Sequence, residues 1–304
     1  MTQARHGPTL THAFVAAATA TWVLLGANLF AYPLLAALST AGLSQPLVLG
    51  ANAVLAEAGI LFAVVVAMVV GRLRTGPALG LAVAPRLAPT VWSLVAVAGG
   101  GVVLDELTFA IARTLPSAVS ERLAAAGAVM ASATPGEAAI MLVPLALAPA
   151  LCEEALCRGV ILRGLSARFG GRSFWPIAIS SLFFGLLHVD PLHVTVAALM
   201  GVLFGVIAVR TGSLWPPVLG HLLNNVVSIV TPVLGGPGLV EVLRDGHEWW
   251  LVVAGAAAFA AGITGLVRST AARPAAASSG GVAERGSEDQ EQDRRADAHD
   301  GEED

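Results

Sequence analysis

Eight long apolar stretches constrain the fold of this chain more than any other feature. About 20 consecutive apolar residues suffice for a helix to cross the hydrocarbon core of a bilayer. Stretches of this kind occupy residues 12–39, 46–70, 89–111, 138–165, 174–190, 192–209, 213–233 and 248–268. Only 12% of the chain is charged, against about 25% in an ordinary soluble domain. The pattern predicts an all-α fold, a polytopic membrane helix bundle with about eight transmembrane helices.

Hydropathy divides the chain into four parts. Residues 1–137 hold the N-terminal transmembrane helices and loops, and residues 138–233 hold the helices with the polar motifs of the expected catalytic core. Residues 234–268 supply the final transmembrane helix and the loop before it. Residues 269–304 carry ten acids against four arginines and few large apolar side chains. Such a composition cannot bury a core, so we expect a disordered acidic cytoplasmic tail.

The distribution of arginine predicts the orientation of the bundle. Ten arginines flank the spans on one side, whereas the alternate connections hold only Arg113, Arg122 and Arg244. Because cytoplasmic loops are enriched in basic residues, both termini should face the cytoplasm. All 17 basic residues are arginine, a pattern typical of high-GC bacterial genomes. We therefore expect an integral protein of a bacterial plasma membrane, with the lipid bilayer as a partner and no nucleic acid.

Three charged side chains, Glu153, Glu154 and Arg158, interrupt the fourth apolar stretch. Each charge near the centre of a bilayer helix costs about 2.5–3.5 kcal/mol on insertion scales, so each needs a partner or a chemical role. Glu154 and Arg158 are four residues apart with the acid first, the favourable order for an ion pair. Glu153 lies about 100° around the helix and keeps no cation of its own. An unpaired carboxylate of this kind suits a general base acting on water.

Two later apolar stretches carry polar residues at the same four-residue spacing. Phe184 and His188 share one face of the fifth predicted span, and His221 and Asn225 share one face of the seventh. A carboxylate, two imidazoles and an amide on separate spans can enclose a water and a carbonyl oxygen. In that arrangement Glu153 activates the water, while His221 and Asn225 donate hydrogen bonds to the developing oxyanion.

Together these motifs resemble those of a known family of membrane proteins. Residues 153–158 (EEALCR), 184–188 (FGLLH) and 221–225 (HLLNN) are similar to the EExxxR, FxxxH and HxxxN motifs of the CPBP family. That family comprises type II CAAX prenyl endopeptidases and bacteriocin-processing or immunity proteins, and is also called the Abi family. The similarity covers residues 148–226, about a quarter of the chain. One departure is Cys157, where the family pattern usually has an aromatic residue.

The resemblance implies an integral-membrane endopeptidase that acts on a membrane-associated protein or peptide. Its first motif glutamate, here Glu153, would activate the water. The other motif residues would support it: Glu154 and Arg158 as auxiliary charges, His188 holding the water, and His221 with Asn225 stabilising the oxyanion. Phe184 is expected to wall the site on the substrate side.

The resemblance leaves the cofactor open, because the family has been described both as metalloproteases and as glutamate-dependent enzymes without metal. We expect no metal; the alternative is a three-ligand zinc site formed by Glu153, His188 and His221, with an open position. The chain has no His-Glu-x-x-His pair of the metalloprotease type.

Two other classes of function stay open on the sequence. One is a non-catalytic immunity or scaffold protein of the same fold. The other is a proton-coupled transporter, which is disfavoured because no paired helix breaks of the inverted-repeat type are evident. Three further acids, Glu57, Asp105 and Glu106, fall in predicted spans without a partner that the sequence identifies. Asn224 also competes with Asn225 for the polar role next to His221.

Overall fold

The computed structural model describes residues 7–112, 114, 127–169, 174–188, 191–245 and 249–271. Within these residues there is no β-strand, and the predicted all-α class is confirmed. The helices are α1 (Leu10–Thr40), α2 (Gln45–Gly71), α3 (Thr75–Leu79), α4 (Leu87–Ala112), α5 (Pro135–Phe169), α6 (Phe174–Leu186), α7 (Pro191–Thr211), α8 (Trp215–Asp245) and α9 (Trp249–Thr270), with a short helical segment at 127–131. The predicted tail beyond residue 271, and Arg113 and Arg122, lie outside the described residues.

Six of the described helices are long and apolar enough to cross a membrane: α2, α4, α5, α7, α8 and α9. Helix α1 consists of two segments, Leu10–Gly26 and Ala31–Thr40, with an angle of 44° between them. If the two segments form one span, α1 is a seventh candidate membrane span. The predicted span at 174–190 differs most, since α6 has only 13 residues. At 1.5 Å per residue it reaches about 20 Å, short of the hydrocarbon core of about 30 Å. The count of eight is therefore not confirmed by the described helices.

Small residues allow the helices around the core to approach closely. Ala13, Ala16 and Ala20 recur at helical spacing along α1 and are fully buried. Near the same end of α1, a Cβ atom added to Gly164 of α5 would lie 2.5 Å from the carbonyl oxygen of Thr9. Close contact through small residues is how helices associate in lipid, where apolar side chains gain little by leaving the solvent. This packing fixes α1 against the helix that carries the charged motif.

Hydrogen bonds tie the connection between α2 and α4 to the turn before α8. The Leu214 amide donates to the Gly80 carbonyl at 3.2 Å, and Trp215 Nε1 donates to the Leu81 carbonyl at 3.0 Å. From α5, Arg163 Nη2 donates to the Gly212 carbonyl at 2.8 Å. The connection after α2, which holds Arg72, Arg74 and Arg86, thus lies at the same end of the bundle as the end of α7 with Arg210. The side of the membrane that this end faces stays a prediction. These bonds also fix the first turn of α8, two turns before His221.

Helix α5 begins at a capping box and is then interrupted twice. The Thr134 hydroxyl accepts from the Glu137 amide at 3.2 Å, and Glu137 also accepts from the Ser44 hydroxyl before α2. Two π-helical stretches, Val143–Leu147 and Ala155–Leu162, flank the α-helical stretch Ala148–Glu154. Such stretches occur frequently at functional sites, because the wider turn redirects side chains. The glutamate pair lies at the second of these transitions.

Candidate active site

The glutamate pair and its arginine are buried in the middle of α5. The exposed fraction is 7% for Glu153 and 0% for both Glu154 and Arg158. Arg158 Nη1 donates to Glu154 Oε1 at 2.7 Å, so the ion pair predicted from the four-residue spacing is present. It crosses the transition from α- to π-helix, which the sequence analysis did not anticipate.

Arg158 contacts Glu154 on its own helix and groups of α6 and α7, while its Nε has no hydrogen-bond partner among the described groups. Its Nη2 donates to the Gly201 carbonyl of α7 at 2.7 Å, and its Cζ lies 4.4 Å from the centroid of the Phe184 ring and 5.4 Å from that of Phe204. The α7 backbone can approach because residue 201 has no side chain: an added Cβ would lie 3.1 Å from Nη2. A carboxylate, a carbonyl and two aromatic faces together offset the cost of burying this cation.

His221 of α8 lies between the two glutamates. Its Nδ1 is 3.2 Å from Glu154 Oε1, and its Nε2 is 4.0 Å from Glu153 Oε2. The ring stacks on Phe204 at 5.1 Å between centroids. Since an ionised carboxylate oxygen only accepts, Nδ1 is the donor toward Glu154, which turns Nε2 toward Glu153. The two glutamates, predicted to face about 100° apart, thus meet opposite nitrogens of one imidazole.

Phe184 joins the second and third motifs. Its ring is 2% exposed and lies 5.2 Å from the His188 ring and 5.5 Å from the His221 ring, both edge-on. His188 follows the end of α6 at Leu186, yet its Nδ1 still lies 3.0 Å from the Phe184 carbonyl oxygen. Because a carbonyl only accepts, Nδ1 carries the proton and Nε2 is left for another partner.

Asn225 lies one turn beyond His221 on α8 and is partly buried. Its Oδ1 accepts a hydrogen bond from Asn224 Nδ2 at 3.5 Å. Asn224 itself approaches α4, since a Cβ on Gly101 would lie 3.3 Å from Asn224 Oδ1. The structure therefore places Asn224 at the α4 interface and leaves Asn225 on the face of α8 that carries His221.

Three groups in and around this cluster were not assigned to the site from the sequence. Glu57 of α2 is 7% exposed, and α2 packs against the Ala148–Glu154 stretch that carries Glu153. Gly201 and Phe204 of α7 contact Arg158, as described above. The Gly201-x-x-x-Gly205 spacing was a signal for close helix packing, but nothing in the sequence pairs α2 with α5.

A cavity of about 550 Å³ opens beside His188, between α1, α2 and α6. Its walls are mostly leucine and alanine side chains, and Thr21, Asn52 and His188 supply its polar groups. Asn52, Leu55 and Ala56 line it from the turn of α2 that precedes Glu57. An apolar chamber with few polar groups is the usual form of a ligand site.

The alternative zinc set does not fit the described side chains. In the part of the chain that the structure describes, no group of three or more His, Cys, Asp or Glu side chains is arranged to hold a metal ion. His188 Nδ1 is bonded to a backbone carbonyl, and His221 Nδ1 is bonded to Glu154. These bonds engage only the Nδ1 atoms, so the misfit lies in the arrangement of the described side chains as a set and not in the contacts of the two imidazoles.

The long apolar helices indicate an integral membrane protein, and acids and histidines of the three motifs lie together in its interior. Residues 135–227, just under a third of the chain, match the family model described as Type II CAAX prenyl endopeptidase Rce1-like. The match starts with α5, includes all three motifs and confirms the predicted resemblance. This Rce1-like domain supports a membrane protease of the CAAX type. No curated protein and no solved structure matches the chain.

Proposed function

We propose that this chain is an intramembrane endopeptidase that hydrolyses a peptide bond of a membrane-associated protein or peptide with water activated by Glu153. The observation that carries the proposal is the unequal use of two adjacent buried glutamates. Glu154 Oε1 is occupied by both Arg158 and His221. The Oε2 atoms of both glutamates are buried without a hydrogen-bond partner among the described protein groups, but only the Glu154 carboxylate is paired with a guanidinium, so Glu153 is the one available to accept a proton.

The distance between Glu153 and His221 is compatible with a reacting water. Their closest atoms, Oε2 and Nε2, are 4.0 Å apart, too far for a direct hydrogen bond. One water oxygen can lie about 2.8 Å from each of two atoms at this separation. As that oxygen attacks the carbonyl carbon, Glu153 takes one of its protons, and the proton then passes to the leaving amine as the C–N bond breaks. The second proton stays with the new carboxyl group.

The remaining motif residues surround this centre. His188 Nε2 is available because Nδ1 is held by the Phe184 carbonyl, and we assign His188 to holding the water. His221 donates from Nδ1 to Glu154, so it would stabilise the oxyanion only in the doubly protonated form, in which Nε2 also donates, together with Asn225 one turn further along α8. Phe184 contacts both imidazoles and would keep them apart at the distance that the substrate needs.

The surroundings of the site favour a substrate within the membrane. The cavity beside His188 is bounded mainly by apolar residues of α1, α2 and α6. Large apolar side chains are also exposed on the outer faces of these helices, among them Trp22, Phe62 and Leu182. Surfaces of this kind are stable against lipid, and a partner that reaches the cavity from lipid must itself be apolar.

Comparative membrane proteomics of cells with the wild-type chain and with Glu153→Gln tests the proposal. Glutamine is nearly isosteric and cannot take a proton from water, so we expect processing of the substrate peptides to fall about 10²–10⁴-fold. Glu137→Gln is the matched control, since it makes the same change on α5 at a partly exposed capping residue outside the site. Identical peptide profiles for wild type and a folded Glu153→Gln would overturn the proposal and favour a non-catalytic scaffold. Proton uptake lost only in Glu153→Gln, without loss of cleavage, would favour a transporter.

A further inference from the structure

A groove separate from the candidate active site lies on the outer surface of the bundle, between α2, the connection with α3, α5 and α8. It has a volume of about 360 Å³, and eleven of its twelve lining residues are apolar, the exception being Thr75. Its floor is buried in the bundle and its rim is exposed; the floor includes Val64, Leu79 and Val218, and the rim includes Val65, Val69 and Leu151. An apolar rim of this kind faces hydrocarbon in a membrane bundle, so the groove is open to a chain from the lipid phase.

The wall of the groove is fixed by contacts of the protein itself. Leu79 and Leu214 both line the groove, and the Leu214 amide donates to the Gly80 carbonyl at 3.2 Å. Leu79 also packs closely on α5, where a Cβ added to Gly159 would lie 2.8 Å from Leu79 Cδ2. Because these contacts already order the wall, binding in the groove need not order it.

One face of α5 leads along the groove to a positive charge. Residues four apart share a face of a helix, and on this face lie, in order, Leu151, Ala155, Gly159 and Arg163. The first two line the groove, and the third contacts its wall at Leu79. Arg163 Nη2 donates to the Gly212 carbonyl at 2.8 Å, and a Cβ added to Gly80 would clash with the same nitrogen. The guanidinium therefore lies against the backbone between residues 79 and 81, both of which line the groove.

A second arginine lies at the same end of the groove. Arg74 is exposed and directly precedes Thr75, the polar lining residue. Neither Arg74 nor Arg163 has an ion-pair partner among the described residues. Residues 58–104 and 155–189 contain no Asp or Glu, and the glutamate pair of α5 is buried and does not line the groove. An apolar groove that ends at two unpaired guanidinium groups is complementary to a molecule with a hydrocarbon chain and an anionic head.

We propose that this groove binds one anionic phospholipid, with an acyl chain along Val65, Leu151 and Val218 and the phosphate group at Arg74 and Arg163. A zwitterionic lipid would leave the two arginines without a net counter-charge, and a water-soluble anion would leave the apolar groove uncovered. The inference goes beyond the proposed hydrolysis and does not depend on it. The groove and the cavity beside His188 have no lining residue in common.

Native mass spectrometry of the full-length protein tests the proposal. The protein is released from mixed micelles that contain phosphatidylglycerol and phosphatidylcholine in equal amounts and with the same acyl chains. Wild type should retain one phosphatidylglycerol in preference to phosphatidylcholine. Arg74→Gln should lower the affinity for phosphatidylglycerol about fivefold, the effect of one arginine near an anionic lipid headgroup. Arg268→Gln is the matched control, because it removes the same charge from an exposed arginine of α9, which does not line the groove.

A second pair of variants tests the position of the acyl chain. In Val65→Trp the indole would fill part of the groove and displace two or more methylenes, which should lower the affinity at least about tenfold. Val70→Trp makes the same change at an exposed position of α2 outside the groove and should bind as wild type does. Equal losses in Arg74→Gln and Arg268→Gln would overturn the proposal, because the attraction would then be spread over the surface. Unchanged binding in Val65→Trp would also overturn it. If Arg74→Gln fails to fold, wild type decides: equal retention of the two lipids overturns the proposal.

Discussion

Replacing Arg158 by methionine tests how strongly the buried ion pair stabilises the bundle. Both terminal nitrogens of Arg158 make 2.7 Å hydrogen bonds, one to the Glu154 carboxylate and one to the Gly201 carbonyl. Methionine keeps much of the length and removes both bonds, so Glu154 stays buried with only His221 against its Oε1. Removing one member of a buried pair costs about 3–5 kcal/mol, because the other charge is left uncompensated. The folded-to-unfolded ratio should fall by roughly two to four orders of magnitude.

The assay is reversible unfolding of the purified protein in mixed micelles, followed by far-ultraviolet circular dichroism. Glu154→Leu alone should destabilise to a similar degree, and the double variant should recover most of the loss because no buried charge remains unpaired. Arg168→Met, at an exposed position on the same helix, should change the free energy of unfolding by less than about 0.5 kcal/mol. The reasoning is refuted if Arg158→Met is no more harmful than Arg168→Met, or if the two single losses simply add.

Two further predictions follow from the packing and from the contacts of the histidines. Gly201→Ala should lower the free energy of unfolding by about 1–3 kcal/mol, because its Cβ would lie 3.1 Å from both Arg158 Nη2 and Ser181 Cβ. Gly136→Ala is the control: nothing lies within 4 Å of its added Cβ, so it should be neutral or stabilising by up to about 1 kcal/mol. If both variants shift the thermal unfolding temperature equally, the close contact at Gly201 does not limit stability. Prolonged dialysis against a chelator should leave the cleavage rate unchanged, since no described group of side chains is arranged for a metal. A rate that falls and is restored by added Zn²⁺ would show that a metal takes part.

Contacts within one helix were predictable from spacing alone. The Glu154–Arg158 pair forms because residues four apart are neighbours on a helix, whatever surrounds them. Phe184 and His188 also stay in contact, although the helix between them ends at Leu186. The hydrogen bond from His188 Nδ1 to the carbonyl four residues earlier keeps the ring in place beyond the helix end. The contact between Phe184 and His188 is therefore present although the helix is shorter than the predicted span at 174–190.

Contacts between helices could not be predicted, because hydropathy fixes neither the rotation nor the axial register of one helix against another. Glu57 was recognised as an acid in a span, yet only the packing of α2 on α5 places its helix against the stretch that carries Glu153. Gly201 supplies a backbone carbonyl to Arg158, a role that its residue type does not reveal. The π-helical stretch Ala155–Leu162 was not predicted, because the sequence was interpreted with 3.6 residues per turn throughout.

Two adjacent glutamates, Glu153 and Glu154, have different environments although both face the imidazole of His221. The Glu154 charge is taken up by Arg158 and by His221 Nδ1, so its oxygen is already engaged before any substrate arrives. Glu153 meets the same ring across a 4.0 Å gap and has no guanidinium bound to either of its oxygens in the described structure. In water the two carboxylates would be nearly equivalent, but at low dielectric an uncompensated one interacts far more strongly with any proton donor that approaches. Breaking the ion pair would thus leave a buried charge unpaired, and under the proposed function the neighbouring Glu153 would keep the reactivity that hydrolysis requires.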